Sequence, residues 1–125
     1  MNKQQRRELR VTTDINMEVN QIVVSKYPMV LPKILPMQMH NISVGGVLLF
    51  CYLDLGLGLY FCSTVTIDGV LMNIVCESLR KEMLLDGYYY GCKLRGLTMS
   101  EQQVIRHFVF QEQMRFRRLM LISGN

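Results

Sequence analysis

The chain has 125 residues, of which half are hydrophobic and 19% are charged, and its formal net charge is +4. This length suits one domain with its own core, and the apolar content excludes a disordered polyelectrolyte. The positive charge is concentrated at the two ends of the chain, which indicates an anionic partner or, alternatively, a solvated surface. The basic residues there are Lys3, Arg6, Arg7, Arg10, Arg115, Arg117 and Arg118.

The cysteines and the hydropathy pattern predict the compartment. Cys51, Cys62, Cys76 and Cys92 are too widely spaced for a metal knuckle or a redox motif, so we expect small buried hydrophobes in a reducing compartment. No apolar signal region follows the basic N-terminus. The apolar stretch from Val47 to Cys62 is too short to span a membrane and is interrupted by turn residues. We therefore expect a cytoplasmic protein without a membrane span.

The chain begins with residues 1–10, a polar segment that we expect to be a flexible, Arg-rich loop before a β-barrel at residues 11–97. From Val11 to Val24 apolar and polar residues alternate, which predicts a strand whose odd-numbered side chains face inward. Three prolines then recur at every fourth residue up to Pro36. Because proline breaks regular elements, we expect a loop or an irregular edge from Tyr27 to Pro36.

Short segments of β-like pattern, divided by turn residues, make up the rest of the barrel region. The expected strands are Met37–Ile42, Val47–Tyr52, Leu59–Ile67, Val70–Leu79 and Tyr88–Leu94. Asp68 and Gly69 suit a type I′ hairpin turn, since both residue types tolerate a positive φ. The pattern predicts an all-β fold, a small antiparallel barrel of six or seven strands.

The spacing of apolar residues changes from a strand pattern to a helical pattern near residue 98. Thr98 and Glu101 have the spacing of a capping box, in which each side chain satisfies a backbone N–H of the other residue. Apolar residues at helical spacing follow, among them Ile105 and Val109, and predict a helix over residues 98–120. The expected architecture is a β-barrel closed by one C-terminal helix.

Signals for catalysis are missing from the sequence. The two histidines, His40 and His107, belong to no metal-binding pair, and there is no phosphate loop, nucleophile elbow or carboxylate cluster. Asp54 and Asp68 lie in expected turns, where aspartate is common for backbone reasons. We therefore expect no enzyme activity, no catalytic residue, no metal and no cofactor.

Two segments carry binding chemistry instead. The first lies just before the first strand, where Arg6 and Arg10 form an Arg-x-x-x-Arg pair with Arg7 between them. The arginine fork can grip phosphate oxygens or bond guanine O6 and N7 in a bidentate manner. The alternative is a basic tail that only adds solubility.

The second segment, Asn41-Ile42-Ser43-Val44-Gly45-Gly46, ends a predicted strand. Asn41 and Ser43 alternate with apolar residues, so both side chains should point to one face of the sheet. The amide and the hydroxyl can bond a base edge, and Gly45 and Gly46 allow positive φ and close approach of the backbone to a ligand. The alternative is an ordinary Asn/Gly turn.

In this order, Arg-x-x-x-Arg followed by Asn-x-Ser-x-x-Gly resembles the PilZ domain family of bacterial cyclic di-GMP receivers. Tyr90–Leu94 resembles the last barrel strand of that family, and Leu97–Glu101 resembles the start of its C-terminal helix. The run Ile105–Gln111, with Arg117 and Arg118, is similar to the terminal helix of PilZ proteins that act on the flagellar motor.

The resemblance implies that the ligand is cyclic di-GMP, with Arg6 and Arg10 clamping guanine and phosphate and Arg7 beside them. Asn41, Ser43, Gly45 and Gly46 would form the floor of the site on the barrel. Glu8 departs from a purely basic segment, since its carboxylate could pair with an arginine and weaken ligand binding.

The resemblance also implies a receiver that changes conformation on nucleotide binding and regulates motility, exopolysaccharide synthesis or another biofilm-related output. The expected protein partner is the flagellar motor, a polysaccharide synthase or another effector, and the helix could also join two copies into a homodimer. One alternative is a PilZ-fold interaction module with weak or no nucleotide binding. Another is a small basic barrel that binds single-stranded nucleic acid through Tyr88, Tyr89 and Tyr90; on the leading interpretation we expect no DNA binding.

Overall fold

The computed structural model describes residues 10–122, and within them the chain forms six strands and one helix. Of the loop expected at residues 1–10, only Arg10 lies within the described residues. In chain order the elements are β1 (Val11–Val24), β2 (Tyr27–Ile42), β3 (Gly46–Cys51), β4 (Tyr60–Ile67), β5 (Val70–Met83), β6 (Tyr88–Arg95) and α1 (Met99–Ile122). The strands form a closed antiparallel barrel in the order β1-β2-β3-β6-β5-β4. The predicted all-β class with a C-terminal helix is confirmed.

Strand β1 shows how side-chain alternation fills the barrel. Met17 and Val19 are fully buried, as the expected inward face of odd-numbered residues requires. A register shift between Val19 and Gln21 against both neighbouring strands then changes the phase, so that Ile22 becomes the next buried residue. A β-bulge of this kind adds one unpaired residue and redirects the side chains beyond it.

The prediction of a loop from Tyr27 to Pro36 was wrong, because this segment is the first part of strand β2. The other expectation, an irregular edge, describes it better: residues 27–30 and Leu35 pair with β1 and with no other described strand, and residues 31–34 bulge out opposite Asn20. Proline is tolerated at such an edge since no second neighbour needs its missing N–H.

The core of the barrel is apolar and contains most of the cysteines. Cys51, Cys76 and Cys92 are buried, Cys62 is half-buried, and all four are free thiols, as expected from their spacing. Tyr90 is also fully buried, with its ring edge-on to Phe61 at a centroid distance of 5.9 Å. Its hydroxyl donates to the carbonyl oxygen of Leu53 at 2.7 Å and so anchors the β3–β4 loop to the barrel.

Helix α1 begins with the predicted capping box. The Thr98 backbone N–H donates to the Glu101 carboxylate at 2.9 Å, and the Glu101 N–H donates to the Thr98 hydroxyl at 3.1 Å. Ile105 and Val109 pack into the barrel core. The helix extends two residues beyond its expected end, to Ile122, and its second half leaves large apolar side chains exposed. These are Met114, Phe116, Leu119, Met120, Leu121 and Ile122.

The turn between β1 and β2 is a candidate for stabilisation. Ser25 (φ 48°) and Lys26 (φ 75°) both occupy the left-handed region, which costs a non-glycine residue roughly 1–2 kcal/mol. Replacing them together, Ser25→Asn with Lys26→Gly, introduces the preferred type I′ pair and should raise the free energy of unfolding by about 1 kcal/mol in urea denaturation. The matched control is Gly69→Ala at φ 77°, which should lower it by about 1 kcal/mol. An unchanged or lower stability of the double variant would contradict this account.

Candidate functional site

The turn between β2 and β3 is held together by Ser43. The Ser43 backbone N–H donates to the Gly46 carbonyl oxygen at 2.8 Å. Its hydroxyl oxygen accepts hydrogen bonds from the backbone N–H groups of Gly45 at 3.3 Å and Gly46 at 3.2 Å. Because Ser43 is fully buried, its hydroxyl stabilises the turn from within. The sequence analysis had expected that hydroxyl on the same face as Asn41, available to a ligand.

A β-bulge aims Asn41 out of the barrel. Along β2 and β3, Met39 is paired with Leu49 and Asn41 with Leu48, which leaves His40 as the extra residue. Met39 is fully buried, so simple alternation would direct Asn41 inward. The bulge turns Asn41 to the outer face, where it is half-buried.

Arg10 joins three parts of the site. Its Nη1 donates to the Asn41 Oδ1 at 3.1 Å, across the start of β1 and the end of β2. Its backbone carbonyl oxygen accepts a hydrogen bond from the Gln113 Nε2 in helix α1 at 3.2 Å. The residue is half-buried. Arg10 therefore links the β2–β3 turn to the helix.

Glycine is required at position 46 because the backbones of β3 and β6 approach closely there, and not because of its φ angle. A Cβ atom at this position would lie 2.7 Å from the Cys92 carbonyl oxygen in β6, which no side chain tolerates. It would also lie 3.6 Å from the Arg10 Nη2. Gly45 and Gly46 do not adopt the positive φ that glycine permits: among the described glycines, positive φ occurs only at Gly58, Gly69 and Gly96.

A groove of about 270 Å³ lies on the outer face of β3, β5 and β6 beside this turn. Arg10, Gly45 and Gly46 line one side, and Arg80 and Lys93 line another. The groove thus contains three cationic side chains, and none of its described lining residues carries a carboxylate. Such a surface favours an anionic ligand.

Arg80 and Lys93 were not among the residues predicted from the sequence. Lys93 is exposed between buried Cys92 and Leu94, so alternation in β6 could have placed it outward. Arg80 would face inward by alternation from buried Ser78, but Ser78 pairs with Cys92 and Arg80 with Gly91, so that Leu79 is bulged. An arginine at an inward position was the available signal, since it favours a bulge over a buried charge.

Among the described residues, the carboxylate that lies opposite the groove residue Lys93 is already paired. Glu77 lies opposite Lys93, but its Oε1 accepts a hydrogen bond from the Arg95 Nε at 2.7 Å. Burial raises the pKa of the Cys92 thiol to about 12, although the nearby Arg80 guanidinium acts in the opposite direction. Cys92 is therefore protonated at neutral pH and contributes no negative charge or nucleophile to the groove.

The other candidate residues from the sequence lie outside this groove or outside the described residues. Arg6 and Arg7, the other expected ligand arginines, lie outside the described residues. Within residues 10–122, no group of three or more His, Cys, Asp or Glu residues could hold a metal ion. His40 packs against the Tyr89 ring at 5.2 Å, and the His107 Nδ1 lies 3.2 Å from the Asp68 Oδ2.

Comparisons with known proteins concern the family and the fold of the chain. A family model described as PilZ domain matches residues 4–111. The crystal structure of Escherichia coli YcgR in complex with c-di-GMP has a TM-score of 0.73 at 12% identity, covering 96% of this chain and 51% of that chain. Bacillus subtilis MotI/DgrA, an inhibitor of motility, has a TM-score of 0.66 at 14% identity, with coverage of 90% and 53%. The PilZ domain of Escherichia coli YcgR with c-di-GMP also has a TM-score of 0.66, at 12% identity, with coverage of 94% and 98%.

These structural likenesses concern the fold, and the chain spans about half the length of MotI and of the longer YcgR chain. A search of curated proteins finds no significant sequence match. In the part of the chain that is described, no helix is both long and apolar enough to cross a membrane.

The role of Ser43 in the turn can be measured without a ligand. Ser43→Ala leaves the half-buried N–H of Gly45 and the buried N–H of Gly46 without their acceptor, so the free energy of unfolding should fall by about 1–3 kcal/mol in urea denaturation. Ser100→Ala, at an exposed position in the first turn of α1, is the control and should change it little. A ligand-free stability of Ser43→Ala equal to that of the control would show that the hydroxyl does not support the turn.

Thiol reactivity checks the burial of the groove floor. Burial raises the pKa of the Cys76 and Cys92 thiols, and only thiolates react rapidly with alkylating reagents. In the native protein at pH 8, iodoacetamide should label half-buried Cys62 first and leave Cys76 and Cys92 largely unmodified, as read by mass spectrometry. The urea-unfolded protein, in which all four thiols should react, is the control. Native labelling of Cys92 at the unfolded rate would refute its placement.

Proposed function

The chain belongs to the PilZ domain family, and from that premise we propose that it is a receiver of cyclic di-GMP that binds at the groove beside the β2–β3 turn. One observation carries the proposal: the Arg10 guanidinium, bonded to Asn41, lies over Gly46 at the edge of a groove whose described lining is cationic and contains no carboxylate. Two of the similar folds come from structures that contain c-di-GMP, which supports the same ligand here.

The side chains match the chemistry of this ligand. Cyclic di-GMP presents two phosphates and two guanines, and arginine can grip the former or bond the O6 and N7 edge of the latter. Each good bidentate contact to guanine contributes about 1–3 kcal/mol of discrimination. The Asn41 amide can donate and accept at a base edge once Arg10 turns toward the ligand. In this proposal Ser43 acts indirectly, by holding the turn on which Asn41 and Gly46 are placed.

Arg6 and Arg7 complete the proposed site. They belong to the Arg-x-x-x-Arg segment that ends at Arg10, and the family model includes both residues. We assign to them the second guanine or phosphate of the ligand. Glu8, which separates them from Arg10 in the sequence, is then the residue expected to limit affinity.

Arg10 is the proposed route by which ligand binding acts on the helix. Arg10 is bonded through its side chain to Asn41 and through its carbonyl oxygen to Gln113 in α1. A ligand that draws Arg10 into the groove therefore also acts on the segment held by the helix, and it shifts the balance between conformations only if it binds one of them better. The exposed apolar side chains of the second half of α1, set among Arg115, Arg117 and Arg118, are the proposed contact surface for a protein partner.

Motility control is the output that we favour, because MotI/DgrA is an inhibitor of motility and has the same fold. The partner is then the flagellar motor, with a polysaccharide synthase or another effector as the alternative. We propose no catalytic role for the chain. Binding of single-stranded nucleic acid has less support, because Tyr90 is fully buried and is not available as a stacking surface.

Isothermal titration calorimetry with cyclic di-GMP tests the proposal. The unaltered chain should bind saturably, and Arg10→Ala should weaken binding at least about tenfold, since each lost bidentate contact is worth about 1–3 kcal/mol. Arg117→Ala removes the same charge from the exposed helix and should bind as the parent does. Absence of saturable binding by the unaltered chain would refute the receiver function, and binding of generic oligonucleotides with a steep salt dependence would favour the nucleic-acid alternative.

A further inference from the structure

The register of the barrel places four residues in one row across its outer face. Asn41 is paired with Leu48, Leu48 with Gly91, and Gly91 with Arg80. Since neighbouring strands are about 4.8 Å apart, the row spans about 14 Å from Asn41 to Arg80. Asn41, the expected ligand residue, therefore faces Arg80 across a floor that includes a glycine.

Arg80 is held flat against that glycine. A Cβ atom at Gly91 would lie 2.8 Å from the Arg80 Nε, 2.9 Å from its Cγ and 3.0 Å from its Cζ. The guanidinium thus occupies the space that any other residue at position 91 would fill. Among residues 10–122, the Arg80 side chain makes no hydrogen bond and has no carboxylate partner.

Arg10 and Arg80 rest over two diagonal neighbours of the sheet. The Arg10 Nη2 lies 3.6 Å from the Cβ position of Gly46, and Gly46 is paired with Lys93, two residues from Gly91. Diagonal neighbours of this kind are roughly 7–8 Å apart. Two guanidinium groups placed over neighbouring positions repel each other, and an anionic group bound between them offsets that repulsion.

We propose that Arg80 is a ligand-binding residue of the groove, and that it grips a phosphate of the nucleotide from the side opposite Arg10. The inference deepens the proposed function and rests on it. Arg80 stands on the rigid barrel, where the Leu79 bulge and Gly91 fix its direction, whereas Arg10 stands at the start of β1. The phosphate is then held between two elements, one of which is bonded to the helix. Lys93, exposed on the same face, adds to the positive potential of this side.

The test is a calorimetric titration of cyclic di-GMP into the whole chain, repeated at several salt concentrations. Arg80→Ala should weaken binding about ten- to hundredfold, and it should lower the dependence of log K on log salt by about one phosphate contact. Lys33→Ala removes the same charge from the part of β2 that lies beyond β3 and should leave both quantities unchanged. Arg80→Lys should restore the salt dependence but only part of the affinity, since lysine lacks the planar fork.

Gly91→Ala supplies a second test that leaves the arginine in place. Its Cβ would displace the flexible Arg80 side chain, so binding should weaken about as much as in Arg80→Ala, with an unchanged circular dichroism spectrum. In the double variant, Arg80→Ala with Gly91→Ala, the two losses of affinity should not add, since both substitutions remove the same contact between Arg80 and the ligand. Additive effects, or an Arg80→Ala variant that binds within twofold of Lys33→Ala, would overturn the role of Arg80 while leaving the receiver function intact. A parent chain that does not bind would overturn both.

Discussion

Two β-bulges determine which polar side chains reach the outer face of this barrel beside the groove. In a closed barrel the side chains of each strand alternate between a packed interior and the outer surface, so a polar residue at an inward position must be redirected. The extra residue at His40 turns Asn41 outward next to fully buried Met39, and the extra residue at Leu79 does the same for Arg80. Both redirected side chains lie in the same row of the sheet. Without the bulges the groove would lose Arg80, and two polar groups would point into an apolar core.

The same groove depends on two strands that approach each other closely. Gly46 in β3 lies so near the Cys92 carbonyl oxygen in β6 that a Cβ cannot fit, and the space above it is occupied by the Arg10 guanidinium. Arg10 is also hydrogen-bonded to Gln113, so the groove floor, Arg10 and the helix form one connected unit. Such a unit can convert binding at the groove into a change at the exposed helix surface, provided that the ligand binds one arrangement better than the other.

Local patterns in the sequence were sufficient to predict the barrel and the helix. They were insufficient to predict parts of the candidate site. The positive φ values of Asp68 and Gly69 and the two hydrogen bonds between Thr98 and Glu101 follow from residue preferences within a few positions. The first half of β2 was mistaken for a loop, because the prolines argue against a strand only where both edges are paired. Arg80 was missed because its direction depends on how β5 pairs with β6; the one local signal, an arginine at an inward position, favours a bulge but does not specify that pairing. The burial of Ser43 likewise follows from the closure of the barrel.

The most direct test of the account is a nuclear magnetic resonance titration of the labelled chain with cyclic di-GMP, because it locates the ligand residue by residue. If cyclic di-GMP binds in the groove, the largest changes in the ¹H–¹⁵N spectrum should fall on Asn41, Gly46 and Gly91 and on the guanidinium signals of Arg10 and Arg80. Smaller changes should reach Gln113, and the amide of Lys33 should remain unaffected. Changes that are absent, or that cluster on the β1–β2 hairpin and leave the groove untouched, would contradict it.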